Sequence, residues 1–319
     1  MVIIMLKVGL VGVGGISAGH ISAWDSFKEA ELVALCDIRP EQMKEYKGKK
    51  HYTDFDEMLK NEEFDIVDIC LPSYLHAEYS IKAMEKGINV ICEKPISLKR
   101  EDVKKVYGAA RKNNVKFMVA QVLRFWPEYV FLKDIIDTEK YGKLITGSMQ
   151  RLNIYPKGRW DEWMLDESRS GLVPFDLHIH DLDFLVYTLG RPQGAKSYHS
   201  RAGEQDVIEV IYDFNGVYVN CESAWYSARI PFIGDYRFQF EKAVVIFRDN
   251  ELKVYLNDGT VITEGGKGKS EEDQSFYIPK SDAYANELRY FLDCVLSNND
   301  PDIVKPDELE AVLDVLNSL

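Results

Sequence analysis

Positive charge is scarce in this sequence. Lysine and arginine number 39 against 52 aspartates and glutamates, the net charge is −13, and no basic cluster stands out. That leaves no electrostatic case for binding DNA, RNA or an anionic membrane. Long apolar runs are missing too, and none approaches the roughly 18 residues that span a bilayer. The apolar start MVIIMLKVGL lacks a basic leader and a cleavage-like site, and it runs into glycines that need it as a strand. Cysteine is sparse. Cys36, Cys70, Cys92, Cys221 and Cys294 are scattered, with no CxxC pair. This argues against disulfides or a zinc site, and for thiols packed as small hydrophobes in a reducing, cytoplasmic setting. No clustered histidine, cysteine and carboxylate set has the spacing of metal ligands, so no metal is expected. Repeats and low-complexity segments are absent as well.

What remains is ordinary globular composition, 46% hydrophobic and 29% charged. The length suits two domains, each with its own core. Up to about residue 122, short apolar runs alternate with helix-compatible stretches. Strands are expected at Leu6–Val11, Leu32–Cys36, Asp65–Leu71, Asn89–Cys92 and Val115–Ala120. Helices are expected at Gly15–Phe27, Pro40–Lys47, Phe55–Lys60 capped by Asp54, Leu75–Lys86 capped by Ser73, and a stretch to Asn113 capped by Ser97. This grammar implies an α/β fold with a doubly wound parallel sheet. Beyond it the pattern changes. After helix Glu128–Thr138, strand Lys143–Ile154 and helix Phe175–Leu189, six strand-like runs follow between Gly194 and Leu256. Asn215-Gly216 marks a two-residue hairpin turn among them. A second α/β domain with a large, open, mostly antiparallel sheet is expected. The reading is a dinucleotide-binding domain over residues 1–122 and a substrate-binding and oligomerisation domain over 123–319, with Gly265–Ser270 a surface loop and two closing helices.

Three polar features converge on these elements. Gly12-Val-Gly14-Gly15-Ile16-Ser17 follows a strand and opens a helix, the context in which such a turn cradles a pyrophosphate. The second strand ends at Asp37, placed to accept hydrogen bonds from the adenosine ribose and to repel a 2′-phosphate. NAD is therefore favoured over NADP, although Arg39 could accommodate the phosphate. VICEKP puts Glu93 and Lys94 at the carboxyl end of a buried strand, the crevice where open α/β sheets bind ligands. A partly desolvated ammonium there suits proton transfer or polarising an alcohol. Pro95 marks a fixed turn that aims it. Asp176, His180 and Asp183 fall at i, i+4 and i+7, one stripe of a helix beside the apolar stripe Phe175, Ile179, Leu182 and Val186.

The stretches VGLVGVGGIS, DIVDICLPSYLHAEYSIKAMEKGINVICEKP, VLRFWPEY and DLHIHDLD together resemble the glucose–fructose oxidoreductase and inositol dehydrogenase family, Gfo/Idh/MocA. The resemblance implies a Rossmann domain, a second domain whose free sheet face makes a homodimer or homotetramer, and a nicotinamide cofactor at their interface. It places the catalytic set on Lys94, Asp176 and His180. Cofactor contacts fall on Gly12, Gly14, Gly15, Ile16, Asp37, Arg39, Pro72, His76, Glu93 and Lys94. Substrate contacts fall on Lys94, Arg124, Trp163, Asp176 and His180, with Arg124 and Trp126 lining the cleft and tryptophan faces packing on sugar C–H groups. His178 departs from the family, which usually has a small residue there. On a regular helix it points away from the stripe and serves packing or hydrogen bonding; if the helix has not yet started there, it enters the pocket and changes substrate preference. The expected activity is hydride transfer between nicotinamide and a secondary alcohol of a sugar, cyclitol or related polyol. Two alternatives stand beside it. One is a tightly held NAD used in internal redox for elimination, epimerisation or glycoside hydrolysis. The other is a noncatalytic NAD-binding regulator.

Overall fold

The computed structural model describes residues 5–263 and 282–319, so the Gly265–Ser270 loop lies outside the described residues. The first half runs β1 (Leu6–Val11), α1 (Ser17–Ser26), β2 (Ala30–Cys36), β3 (Lys50–Tyr52), α2 (Phe55–Asn61), β4 (Ile66–Ile69), α3 (His76–Met84), β5 (Asn89–Glu93), α4 (Arg100–Asn113) and β6 (Phe117–Ala120). The second half runs α5 (Pro127–Asp137), β7 (Leu144–Ile154), α6 (Glu167–Ser170), α7 (Ile179–Leu189), β8 (Gly194–Ala202), β9 (Gln205–Phe214), β10 (Val217–Tyr226), β11 (Ile233–Phe240), β12 (Ala243–Arg248), β13 (Glu251–Leu256) and β14 (Val261–Thr263). Helices α8 (Ala283–Ser297) and α9 (Pro306–Leu316) follow.

Strands β1 to β6 form one sheet in the order β3-β2-β1-β4-β5-β6, every pair parallel. The order reverses direction between β1 and β4, the switch point of a Rossmann sheet. A parallel sheet covered on both faces needs apolar residues on both. Accordingly β4 and β6 are buried at every position, and β1 at every position but Lys7. Cys36, Cys70 and Cys92 are buried in or beside these strands as free thiols, as the spacing implied.

The second sheet has eight strands in the order β14-β13-β12-β11-β7-β10-β9-β8. All its pairs are antiparallel except β7 with β10. Burial alternates along β9 and β11, so one face is covered and the other is open. Asn215 and Gly216 turn the β9–β10 hairpin with φ of 58° and 94°. Among the described residues no helix is long and apolar enough to cross a membrane.

The structure corrects several expectations. The chain separates into two compact units, Met1–Phe125 with Asp282–Glu310, and Trp126–Ser281 with Ala311–Leu319. A single boundary at 122/123 misses the return of the chain to the first unit. There Tyr284 of α8 lies against His20 of α1, and Arg289 pairs with Glu29 at 2.9 Å. The Pro40–Lys47 helix shortens to a 3₁₀ turn, Pro40–Met43. Asp54 does cap α2, accepting the Glu57 N–H at 2.8 Å. Ser73 does not cap α3; it lies buried in a 3₁₀ turn, Ser73–Leu75, that precedes the helix. Ser97 lies ahead of the true start of α4, accepting the Lys99 N–H at 3.1 Å and donating to Asp102 at 2.7 Å. Hydroxyls near a helix start have several backbone and side-chain partners to choose from, and packing decides among them.

Candidate active site

In the first unit the glycine turn follows β1. Gly12 has φ of +93°, and a Cβ there would sit 2.5 Å from the Cys70 carbonyl oxygen. Only glycine fits that close approach of β1 to the end of β4. Gly14 has no atom within 4 Å of where its Cβ would be, and both Gly14 and Gly15 are exposed. Backbone N–H groups at the start of α1 are thus open to an anion, and the turn fits a pyrophosphate. Ser17 is fully buried, small enough to pack, and its hydroxyl donates to Gly14 O at 2.8 Å. Ile16 is half-exposed at the helix start.

Asp37 reaches back to this turn. One carboxylate oxygen accepts the Val13 N–H at 2.9 Å, and the other accepts the Arg39 N–H at 2.8 Å. The acid therefore ties the end of β2 to the phosphate turn. The Arg39 side chain lies beside the same carboxylate, with Nε at 3.3 Å. Gly12→Ala should cost at least about 2 kcal/mol of stability, because the new Cβ meets backbone at a strained φ. Urea unfolding beside NAD titration checks this; unchanged values for both would contradict it.

At the end of β5, Val90 to Ser97 is buried throughout except at Lys94, which is half-buried. The Lys94–Pro95 bond is cis. Pro72 is half-buried, after β4. His76 is buried, with Nδ1 2.7 Å from Pro95 O and Nε2 2.6 Å from Leu71 O. Burial pushes its pKa down, opposed by those carbonyls. The ring thus joins the Leu71-Pro72 loop to the Pro95 turn. The Arg124 guanidinium is fully buried and donates to Ile303 O and the Glu308 carboxylate, contacts that tie it to the C-terminal return.

In the second unit the helix expected at Phe175–Leu189 is not regular. A π-helical turn, Pro174–His178, leads into α7. Pro174 opens it without an N–H to place. Such wide turns recur at functional sites. From Leu172 to Val186 every residue is buried except Asp176 and His180. Asp183, third in the expected stripe, is buried with its neighbours. Phe175, Ile179, Leu182 and Val186 are buried as their spacing implied. Trp160 and Trp163 stand half-exposed on the 3₁₀ segment Trp160–Leu165.

Three polar anchors hold this stretch down. His178 is fully buried between two hydroxyls, Tyr212 on β9 at 2.7 Å and Ser223 on β10 at 3.1 Å. Burial pushes its pKa down to about 3, so the ring is neutral and can donate to one hydroxyl and accept from the other. Asp206 accepts the Val173 N–H at 3.3 Å and lies 2.6 Å from His199. Arg151 on β7 donates through Nη2 to Asp181 at 2.7 Å and to the Tyr129 hydroxyl at 2.9 Å. Burial pushes the Asp181 carboxyl upward, and the guanidinium opposes it. Of these anchors, only His178 is marked by its place in the sequence, as a packing or hydrogen-bonding residue. Arg151 and Asp206 carry no local signal: Arg151 is the one charged residue of β7, and Asp206 is one of three acids in β9.

The first unit holds a buried polar cluster that likewise carries no local signal in the sequence. His20 on α1 lies 2.9 Å from Asp68 on β4 and 3.2 Å from Glu93. His20, Asp68 and Cys70 are close enough together to hold a metal ion. The His20 and Asp68 atoms are nevertheless at direct hydrogen-bonding distance, and Trp24 donates to the same Asp68 oxygen at 2.7 Å. The trio already has hydrogen-bond partners, within itself and from Trp24, and we assign no metal to it.

Comparison with known proteins agrees with this geometry. Residues 6–121 match the model of an oxidoreductase family with an NAD-binding Rossmann fold, and residues 129–261 match the Gfo/Idh/MocA C-terminal domain. The chain belongs to the Gfo/Idh/MocA family. An uncharacterized oxidoreductase of Streptococcus pneumoniae is 31% identical over 193 residues, 58% of this chain but only 51% of that protein. A myo-inositol 2-dehydrogenase of Thermotoga maritima is 27% identical over 97% of this chain and 93% of its own. An Agrobacterium radiobacter oxidoreductase, solved with NAD+, L-tartaric acid and magnesium, shares the fold. Its TM-score is 0.80 at 17% identity, covering 98% of this chain and 94% of that one.

Proposed function

We propose that this chain is an NAD-dependent dehydrogenase acting on a secondary alcohol of a sugar, cyclitol or related polyol. The observation that carries the reading is access. Lys94 is the opening in the buried stretch after β5, and Asp176 and His180 are the openings in the buried stretch around α7. Burial of a polar side chain costs free energy unless it is paired, so exposure at these positions alone is consistent with a working role.

Gly12, Gly14, Gly15 and Ile16 would hold the cofactor's pyrophosphate, and Asp37 with Arg39 its adenosine ribose. Pro72, His76 and Glu93 shape the loops beside Lys94. When bound, the nicotinamide supplies the hydride acceptor. His180 takes the proton of the substrate hydroxyl, a task suited to imidazole because its ordinary pKa lies near working pH. Lys94 donates a hydrogen bond to the oxygen as it gains negative charge. Asp176 orients the hydroxyl or the imidazole, and Trp163 offers an aromatic face to sugar C–H groups.

The test is an absorbance screen for NADH across inositols, aldoses and sugar acids with each cofactor. Formation of NADH with one of them supports the reading. NAD that copurifies with the protein, with no net NADH from any polyol, would replace it with internal redox. Asp37 should make NAD bind at least about tenfold more tightly than NADP, since a carboxylate repels the 2′-phosphate. Tighter NADP binding in paired titrations would reverse that preference and give Arg39 the deciding role. We also propose a homodimer or homotetramer through the open sheet face, where Tyr198, Ile211 and Tyr218 are exposed. Sedimentation of a monomer at micromolar concentration would remove it.

A further inference from the structure

One buried histidine in the first unit is linked to Lys94 through Glu93, by two hydrogen bonds. His20 is fully buried on α1. Its Nδ1 lies 2.9 Å from Asp68 Oδ2, and its Nε2 lies 3.2 Å from Glu93 Oε1. The other oxygen of Glu93 accepts the backbone N–H of Lys94 at 3.0 Å. One ring therefore joins α1, β4 and β5, and the chain of contacts ends at the peptide from which the Lys94 side chain leaves.

Both ring nitrogens face carboxylate oxygens, and an ionised carboxylate can only accept. A neutral imidazole carries a proton on one nitrogen and a lone pair on the other. It would turn that lone pair on an oxygen of Asp68 or Glu93. An imidazolium serves both. It also gives two buried anions a cation, without which each would be strongly destabilising.

We infer that His20 is a positioning residue: held as an imidazolium between Asp68 and Glu93, it fixes the Glu93 carboxylate, which in turn fixes the Lys94 peptide. The catalytic part of this rests on the role proposed for Lys94. The surroundings agree. Burial works against the charged ring, but Asp68 beside it holds the pKa well above the ordinary histidine value. Burial likewise pushes Glu93 upward, and the His20 hydrogen bond and charge outweigh it. Other groups beside this cluster are Cys70 just after β4, Cys92 on β5, Lys94 and His76 near Glu93, and Tyr284 on α8. Burial raises the Cys70 thiol and pushes Tyr284 up to about 12, so neither becomes an anion near neutral pH.

The test compares the full-length protein with His20→Gln. Histidine side-chain nitrogen NMR, with the His20 signal identified by its loss in the variant, should show both ring nitrogens protonated at about pH 8, well past the ordinary midpoint. A neutral ring at that pH would overturn the proposal. Exchange of the Lys94 amide should quicken at least about tenfold in the variant as its acceptor loosens. Unchanged exchange would equally overturn it. Both readouts are independent of turnover, so they stand even if no polyol is oxidised. If one is, His20→Gln should lower kcat at least about tenfold with KM changed less than about threefold, the signature of misaimed chemistry rather than lost binding. A lowered Tm with kcat intact would mean that His20 serves folding alone.

Discussion

Replacing Lys94 or His180 by alanine is expected to cut turnover at least about a hundredfold while leaving NAD affinity nearly unchanged. The size follows from what each group does. His180 would provide general base catalysis, and no other residue between Leu172 and Val186 except Asp176 reaches solvent to substitute for it. Lys94 would stabilise charge that develops only as the hydroxyl proton leaves, so its loss should fall on kcat more than on KM. Affinity for NAD is nearly spared because Lys94 is one of many expected cofactor contacts, and the phosphate turn and Asp37 follow β1 and β2 rather than β5. Neither replacement should cost much stability, since both side chains are part-exposed. Steady-state kinetics with paired cofactor titrations checks all of this. Near-normal turnover in both variants would end the assignment.

Arg151→Met should destabilise the protein by about 3–5 kcal/mol, a large share of the roughly 5–15 kcal/mol that holds an ordinary domain folded. The Asp181 side chain is 0% exposed and that of Arg151 4%. Removing the guanidinium leaves the carboxylate buried beside an apolar side chain. The loss should depend on pH. Burial already raises the Asp181 pKa, and the variant raises it further by removing the opposing cation. A group whose folded pKa lies above its unfolded value favours the folded state fully below the unfolded pKa and loses that contribution as pH rises through the folded pKa. The deficit should therefore be widest near neutral pH and should narrow on acidification. Urea midpoints for the two proteins across that range measure it. A difference under about 1 kcal/mol near neutral pH would mean that Asp181 finds another partner or sheds its charge cheaply.

The two predictions probe parts of the molecule that differed in how readily they could be read. The glycine turn, Asp37 and Lys94 are local signals: each lies where a strand ends, and strand ends were marked by apolar runs. Hairpins in the second half were marked by turn chemistry, as at Asn215-Gly216, and β9 to β13 fall close to the expected runs. Short or late strands escaped. Lys50–Tyr52 and Val261–Thr263 are too brief to show a period of two. The helix reading around Asp176 assumed regular 100° spacing, and the π-helical turn changes that spacing without a clear mark in the sequence beyond Pro174.

Charged residues divide most sharply. Arg124 sits in a motif stretch whose spacing points to the cleft, and its guanidinium donates to Glu308 and Ile303. His20 carried no pattern of its own and joins the acids of two strands. The sequence by itself determined the strand–helix alternation, the phosphate turn and the residues eligible for chemistry, because these depend on spacing along the chain. The tertiary structure decided which eligible residues are buried and paired and which keep access. Pairing joins positions far apart, 30 residues between Arg151 and Asp181 and 73 between His20 and Glu93, and no local period encodes a partner at such distances.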